Sequence, residues 1–539
     1  MVRNAPPTAP DPLGARAPGE ASAAGWLARL PVGSAPAALV LAFGLAAILL
    51  RPPLPVDETR YLEVFRESLR GSPLLLRLLG EPYAEKTPLL FWIGRALTWL
   101  GLPLAAALRL VPAVSSACTV LVVARLGERA GARLAGWVQA ALLLPFLGAQ
   151  FLLFDPLLSL STWAAIEAWT RRRDLAFAGW CALAVFAKGP VGFLFLIPFL
   201  WASSPLRGAR RGDGWRAALV LVLALAPLAA WALSAAALGG PEFANALLWD
   251  RWAGRMAQGA DHSRSLFFYV PVVVFGALPG TLLFFRRGRE PAPAWVRRFG
   301  WALLGLLLAF TLIRGKQPHY LVPAAPALAL WLAWKLENER RALGLVRTGI
   351  RIQFALLVLA AGAGVFVLPR LGDAIGRRGQ ELVASGGAWL PLAALGGIAL
   401  ASLLATFRPR HGVESLLVLA CAGTGTSLLF VHRLAGALIY PHALASALRV
   451  ERATPIAYVG SSQHGLYFLL SERDDLEKLD GAAAVESWCA ASPDGLLVTE
   501  ADAPLEGARA RLVELTSDVV HASLVRVWRV VERTGPAPP

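Results

Sequence analysis

LLFWIGRALTWLGLP, Leu89–Pro103, is apolar and aromatic enough to pass for a membrane span, yet it is short and Arg95 interrupts it. Its reading decides the fold, because counting or omitting one span reverses the side of every later loop. Crossing a hydrocarbon core takes about 20 apolar residues; this stretch falls short and is expected to lie on the membrane surface as an interfacial helix. Charge bias points the same way. With 89–103 omitted, the loops on one side carry Arg125, Arg129 and Arg133, then Arg171, Arg172 and Arg173, Arg207, Arg210 and Arg211, Arg286, Arg287 and Arg289, Arg340 and Arg341, and Arg408 and Arg410. Short loops rich in arginine mark the cytoplasmic side. Counting 89–103 as a span would turn the next basic loop outward and separate Asp155 from the face that bears Asp57.

The rest of the chain follows from that choice. Of 539 residues, 56% are hydrophobic and 16% charged, with 19 Trp, and the mean hydropathy is +0.55. That is a polytopic α-helical membrane protein, enzyme or transporter, and not a soluble domain. The net charge of +16 would suit nucleic acid, but the arginines serve orientation in short loops, so no nucleic-acid partner is expected. Residues 1–31, rich in Ala, Pro and Gly, read as a disordered cytoplasmic tail. Val32–Leu50 is too deep in the chain for a signal peptide and reads as the first transmembrane helix. Further spans are placed near 105–124, 134–153, 156–170, 175–188, 190–203, 217–238, 266–285, 299–313, 319–335, 350–369, 387–406 and 413–431, about thirteen in all. The transmembrane domain is thus 32–442, with a first extracytoplasmic loop at 51–104. The odd count puts the tail, 443–539, on the outer side as a small α/β domain with strands starting near Pro455, Gly495 and Ser523. It has no phosphate-binding glycine loop, and no nucleotide cofactor is expected. Four scattered cysteines form no CxxC pair.

Five polar clusters fall where spans meet, all on the face of the first loop: Asp57-Glu58-Thr59-Arg60-Tyr61, Glu85-Lys86-Thr87-Pro88, Asp155-Pro156, Asp261-His262 and Lys316-Gln317-Pro318-His319-Tyr320. Ionisable groups beside hydrocarbon are expensive and point to function. A helix starting at Asp57 would put Asp57, Arg60 and Tyr61 on one face, where a carboxylate can act as general base or simply favour the helix dipole. Lys86 can neutralise a lipid phosphate or snorkel; Glu85 can hold a cation, a sugar amine or a hydroxyl. Asp155 is an N-cap before Pro156, a second active-site acid, or both. Lys188-Gly189-Pro190 reads as architecture. His262 can ligate a metal or move a proton, Arg251, Arg255 and Arg264 can grip phosphate, and Lys316, His319 and Tyr320 serve either a site or the interface.

In order, Asp57-Glu58-x-Arg60-Tyr61, then Tyr83-x-Glu85-Lys86-x-Pro88-Leu89 with Trp92, Arg109-Leu110, Ala187-Lys188-Gly189-Pro190, and Lys316-x-Pro318-His319-Tyr320-Leu321-x-Pro323 resemble the aminoarabinose lipid A transferases. These are GT-C glycosyltransferases, related to the protein O-mannosyltransferases. The resemblance implies a GT-C fold in an inner membrane and transfer of a sugar, with inversion, from a polyprenyl phosphate donor to a lipid A-like or other envelope acceptor. It implies Asp57 as the catalytic acid, Asp155 as a supporting carboxylate and Lys86 as the phosphate ligand. Glu58, Arg60, Tyr61, Tyr83, Arg251, Arg255, Arg264, Lys316, His319 and Tyr320 are expected around the substrates, and Glu85 with His262 as holders of a divalent ion. Thr87 and Gln317 depart from the family's usual proline and arginine, which touches substrate identity more than reaction class. A protein O-mannosyltransferase-like enzyme and a polyprenyl-phosphate transporter are the alternatives.

Overall fold

The computed structural model describes residues 31–54, 57–208, 210–247, 264–286, 291–339, 341–371, 377–408 and 411–439, and beyond them 454–460, 476–500, 511–520 and 523–531 with a few isolated positions between. Among these, six helical stretches are long and apolar enough to cross a membrane, and Ser34–Leu50, Leu266–Gly276 and Trp389–Ala405 are shorter apolar helices. The chain is a polytopic helical membrane protein.

Helix α1 (Ser34–Leu50) is followed by α2 (Asp57–Arg70), a small hairpin of β1 (Arg77–Leu78) and β2 (Glu81–Pro82), α3 (Leu89–Trp99) and α4 (Leu104–Ala130). With 11 residues, α3 is about 16 Å long, half a hydrocarbon core. Arg109, near the start of α4, donates to the carbonyls of Ala47, Ile48 and Arg51 at 3.1 to 3.2 Å. These are carbonyls that the end of α1 leaves without intrahelical partners. The start of α4 therefore lies beside the end of α1, with α3 on the path between them.

The stretch expected at 134–153 is built from two short helices, α5 (Ala135–Ala141) and α6 (Leu143–Gly148), with extended Leu142 between them. Then come α7 (Asp155–Thr170), α8 (Asp174–Lys188) and α9 (Gly192–Arg207). Asp174–Arg207 is apolar over 34 residues, but it folds back on itself. At one end Lys188 meets Asp155. At the other, the Arg207 guanidinium donates to the Trp169 carbonyl at 2.6 Å and lies 3.9 Å from Asp174. The reversal occurs at Gly189, whose φ of 70° and ψ of −156° lie in a region other residues avoid.

Helices α10 (Asp213–Leu223) and α11 (Leu225–Asn245) follow, and Trp231 Nε1 donates to the Leu74 carbonyl of the first loop at 2.8 Å. The bundle continues with α12 (Tyr269–Gly276), α13 (Ala294–Leu312), a 3-10 turn Pro318–Ala324 leading into α14 (Ala325–Asn338), α15 (Ala342–Val367), α16 (Arg377–Ala384), α17 (Trp389–Ala405) and α18 (Val413–Ile439). Trp163 sits at its centre, with ring centroids 5.0 Å from Phe199 and 5.8 Å from Phe299, and its indole N–H donates to Pro323. The hydrogen bond lets so large an amphipathic ring be fully buried.

The last part folds as a five-stranded sheet in the order β4-β3-β5-β7-β6. Strand β3 (Ile456–Val459) runs parallel to β4 (Leu476–Lys478) and β5 (Leu496–Glu500). Strand β7 (Ser523–Val530) runs antiparallel to β5 and to β6 (Leu512–Val520). The period of two splits β3 between faces. Ala457 and Val459 meet α19 (Ala482–Ala491) through Val485, Trp488 and Cys489. Ile456 and Tyr458 join Leu496, Val498, Val525 and Val527, and against this second face pack Leu78 and Leu79 of the first loop.

Candidate functional site

Helix α2 divides its polar residues between two faces. On one, Asp57 pairs with Arg60, and Arg60 lies 3.8 Å from Glu85, to which the Tyr83 hydroxyl donates at 3.3 Å. The Lys86 ammonium stands over the Tyr61 ring at 5.5 Å and the Phe154 ring at 5.9 Å, a cation–π setting. Burial opposes the Arg60 charge, but Tyr83, Tyr61, Asp57 and Glu85 together hold its pKa above the ordinary value. Burial also pushes the Tyr61 and Tyr83 phenols up. Arg60 is thus a permanent cation and both phenols are neutral, Tyr83 donating to Glu85 and the Tyr61 oxygen accepting from Arg60.

Glu58, expected to touch substrate, faces the other way. It is buried, its oxygens held by the Arg51 guanidinium and by the amides of Leu54 at 2.9 Å and Leu152 at 2.8 Å. Those four donors leave it a fastening role: it ties the start of α2 to the end of α1 and to the segment before α7. Burial alone would raise its pKa, but Arg51, Arg109 and the Leu54 amide bring it below the usual value. Arg51 also donates to the Gln150 carbonyl at 2.8 Å, and Gln150 Oε1 lies 2.6 Å from His432 Nε2 of α18.

A second group adjoins the first. Asp155 heads α7 and is buried; its carboxylate takes Lys188 at 2.6 Å and lies 3.7 Å from His319 Nε2. Lys188 also stands 4.7 Å over the Tyr320 ring. His319 lies within the fields of Asp155, Lys188, Asp57 and Lys86, and the T-shaped contact of Tyr61 with Phe154 at 5.2 Å joins α2 to the residue before Asp155. Clusters as far apart in sequence as Asp57 and His319 therefore share one face. Lys316 is buried with its ammonium 3.3 Å from the Arg264 carbonyl, which fastens the loop end. Arg251, Arg255 and His262 lie outside the described residues.

Lys188, which reads as architecture in the sequence, pairs directly with Asp155 in the fold. The motif around Ala187 carried the signal; a lone lysine at a span end does not. Arg109 was carried by the Arg109-Leu110 motif, whereas its neighbours Arg51, Gln150 and His432 had no signal beyond polar groups isolated in apolar sequence. Beside the site, a cavity of about 600 Å³ opens between the first loop, the end of α11 and strand β4; Arg60, Tyr83, Glu85, Glu242, Phe243 and Lys478 are among its lining residues. Among the described residues no three potential ligands are gathered for a metal.

No family model matches the chain. Among curated proteins it is similar to the undecaprenyl phosphate-alpha-4-amino-4-deoxy-L-arabinose arabinosyl transferase 1 of Sodalis glossinidius, with 30% identity over 353 residues covering 58% of this chain and 62% of that protein. With the corresponding transferase of Serratia proteamaculans the identity is 31% over 314 residues, covering 52% and 55%. The chain spans less than two thirds of the length of these relatives. Among solved structures, ArnT from Cupriavidus metallidurans superimposes with a TM-score of 0.69 when bound to undecaprenyl phosphate and 0.70 in the apo state, at 19% and 20% identity. Both superpositions cover 96% of this chain and 100% of the other, so the fold is shared.

Proposed function

We propose that this chain is a GT-C glycosyltransferase that moves a sugar from a polyprenyl phosphate to a lipid A-like or other envelope acceptor. The observation that carries the reading is the convergence of Asp57, Arg60, Glu85 and Lys86 with Asp155, Lys188 and His319 on one face, in a fold shared with a structure crystallised with undecaprenyl phosphate. The relatives' names point to an undecaprenyl phosphate-linked aminoarabinose as donor.

In this reading the polyprenyl chain lies among the helices and Lys86 neutralises its phosphate, so that the phosphate leaves as a stabilised anion. The acceptor oxygen attacks the anomeric carbon in line, its bond forms as the carbon–oxygen bond to phosphate breaks, and the configuration inverts. A hydroxyl acceptor gives its proton to Asp57; a phosphate acceptor is already ionised and needs no base, leaving Asp57 to orient the sugar. Arg60 fixes Asp57 in either case. Asp155 holds Lys188 and His319 beside the reacting groups. A divalent ion between Glu85 and His262 belongs to the same proposal: a carboxylate and an imidazole suit such an ion, and Glu85 lines the cavity. Metal analysis of purified protein, with Glu85→Ala as control, decides it.

The reading also takes thirteen crossings, with the site and the C-terminal sheet outside the inner membrane. Its support is the alternation of contacts from α1 to α18: Arg51, Gln150, Lys188 and His432 gather at one end, and Thr170, Arg207 and Asp213 at the other. The test is transfer by purified protein in liposomes supplied with undecaprenyl phosphate-linked aminoarabinose and lipid A. Mass spectrometry is expected to show the acceptor gaining one sugar. Lipid movement between leaflets without transfer would make the chain a transporter, and glycosylation of a peptide alone an O-mannosyltransferase-like enzyme.

A further inference from the structure

The cavity beside Asp57 and Glu85 draws its wall from both parts of the molecule. Glu81, Tyr83 and Glu85 come from the first loop, Glu242 and Phe243 from α11, and Lys478 from β4 of the C-terminal sheet. Its volume of about 600 Å³ falls within the usual range of ligand sites, about 300 to 1,000 Å³. The wall is held by packing, since Leu78 and Leu79 seat on the sheet cluster that includes Ile456 and Tyr458.

Charge decides what Lys478 can do there. The lining has three carboxylates, Glu81, Glu85 and Glu242, and two cations, Arg60 and Lys478. Arg60 is committed to Asp57 and Glu85. The ion pair of Lys478 is with Asp480 at 3.5 Å, a side chain 80% exposed, and such pairs contribute little. An ammonium has three donors, so Lys478 has capacity for an anionic group in the cavity, while the carboxylates accept from hydroxyl or ammonium donors of an attached sugar. We propose that Lys478 binds a phosphate of a substrate lipid, making the C-terminal sheet part of the substrate site. The inference rests on the transferase reading and deepens it: a phosphate is common to a polyprenyl donor and a phosphorylated glycolipid acceptor.

The full chain in nanodiscs would be titrated with undecaprenyl phosphate and, separately, with diphosphoryl lipid A, comparing wild type with Lys478→Ala, Lys478→Arg and Asp480→Ala. Loss of a charge-assisted bond is expected to weaken one of the two lipids about tenfold in Lys478→Ala, with Lys478→Arg near wild type and Asp480→Ala no weaker. The lipid that responds identifies the source of the phosphate. A thermal melt matching wild type separates this from misfolding. Unchanged affinity for both lipids in Lys478→Ala, with a wild type that binds them, overturns the proposal and leaves the transferase reading standing. A wild type that binds neither lipid overturns both.

Discussion

The pairing of Asp57 with Arg60 on one face of α2 was legible because local helix geometry can be read from spacing, whereas the position of Lys86, before α3 begins, rested on the motif around it. Asp57→Asn keeps the shape of the pair with Arg60 and removes the base; transfer is expected to fall about a hundredfold or more in protein that expresses and melts normally. Lys86→Ala is expected to weaken donor binding about tenfold, read by direct titration with undecaprenyl phosphate, and Lys86→Arg to retain part of it. Glu58 shows the limit of local reading. It is next to Asp57 in sequence, but its partners Arg51 and Leu152 are set by how α1 and α7 meet, which spacing does not encode. Glu58→Gln leaves Arg51 buried without its anion and is expected to cost about 3 to 5 kcal/mol, seen as a lower melting temperature at neutral pH. Because the folded pKa of Glu58 is depressed, its contribution is present above the ordinary carboxylate pKa and is lost as pH falls through the folded value. The wild type should lose stability across that acid window and Glu58→Gln should lose less.

At the scale of elements, most helices were legible from apolar length, and the short α3 from the arginine that interrupts it. Irregularities were legible only where punctuated: Lys188-Gly189-Pro190 marks the reversal between the spans placed at 175–188 and 190–203, whereas the break at Leu142 inside 134–153 falls in apolar sequence with no glycine, proline or charge beside it to announce it. Gly189 sets Lys188 against Asp155. Gly189→Ala forces a side chain into a backbone region costing about 1 to 3 kcal/mol, so a drop in melting temperature together with reduced transfer is expected. An alanine variant with normal activity would detach the turn from the site.

Over the whole molecule, the sequence conveyed a membrane bundle followed by a strand-rich tail, while strand order and the seating of the first loop on the sheet depend on contacts across hundreds of residues. Sidedness is the property on which the site depends most. Single cysteines placed beside Asp57, Asp155, His262 and Lys316 are expected to react with an impermeant thiol reagent from outside, and those beside Arg172, Arg210 and Arg287 only after the membrane is opened. Labelling beside Asp155 from the cytoplasmic side alone would dissolve the shared face.

The seating of Leu78 and Leu79 on the sheet around Ile456 and Tyr458 also bears on how the protein is made. A ribosome delivers the hairpin about 380 residues before the strand that receives it, which at 5 to 20 residues per second is a wait of roughly 20 to 80 seconds. During that interval the leucines have no sheet to cover them and the cavity lacks the wall bearing Lys478. A nascent chain therefore acquires the wall bearing Lys478 only near the end of synthesis, and on the proposed reading chains that stall before the final strands are expected to lack that part of the site.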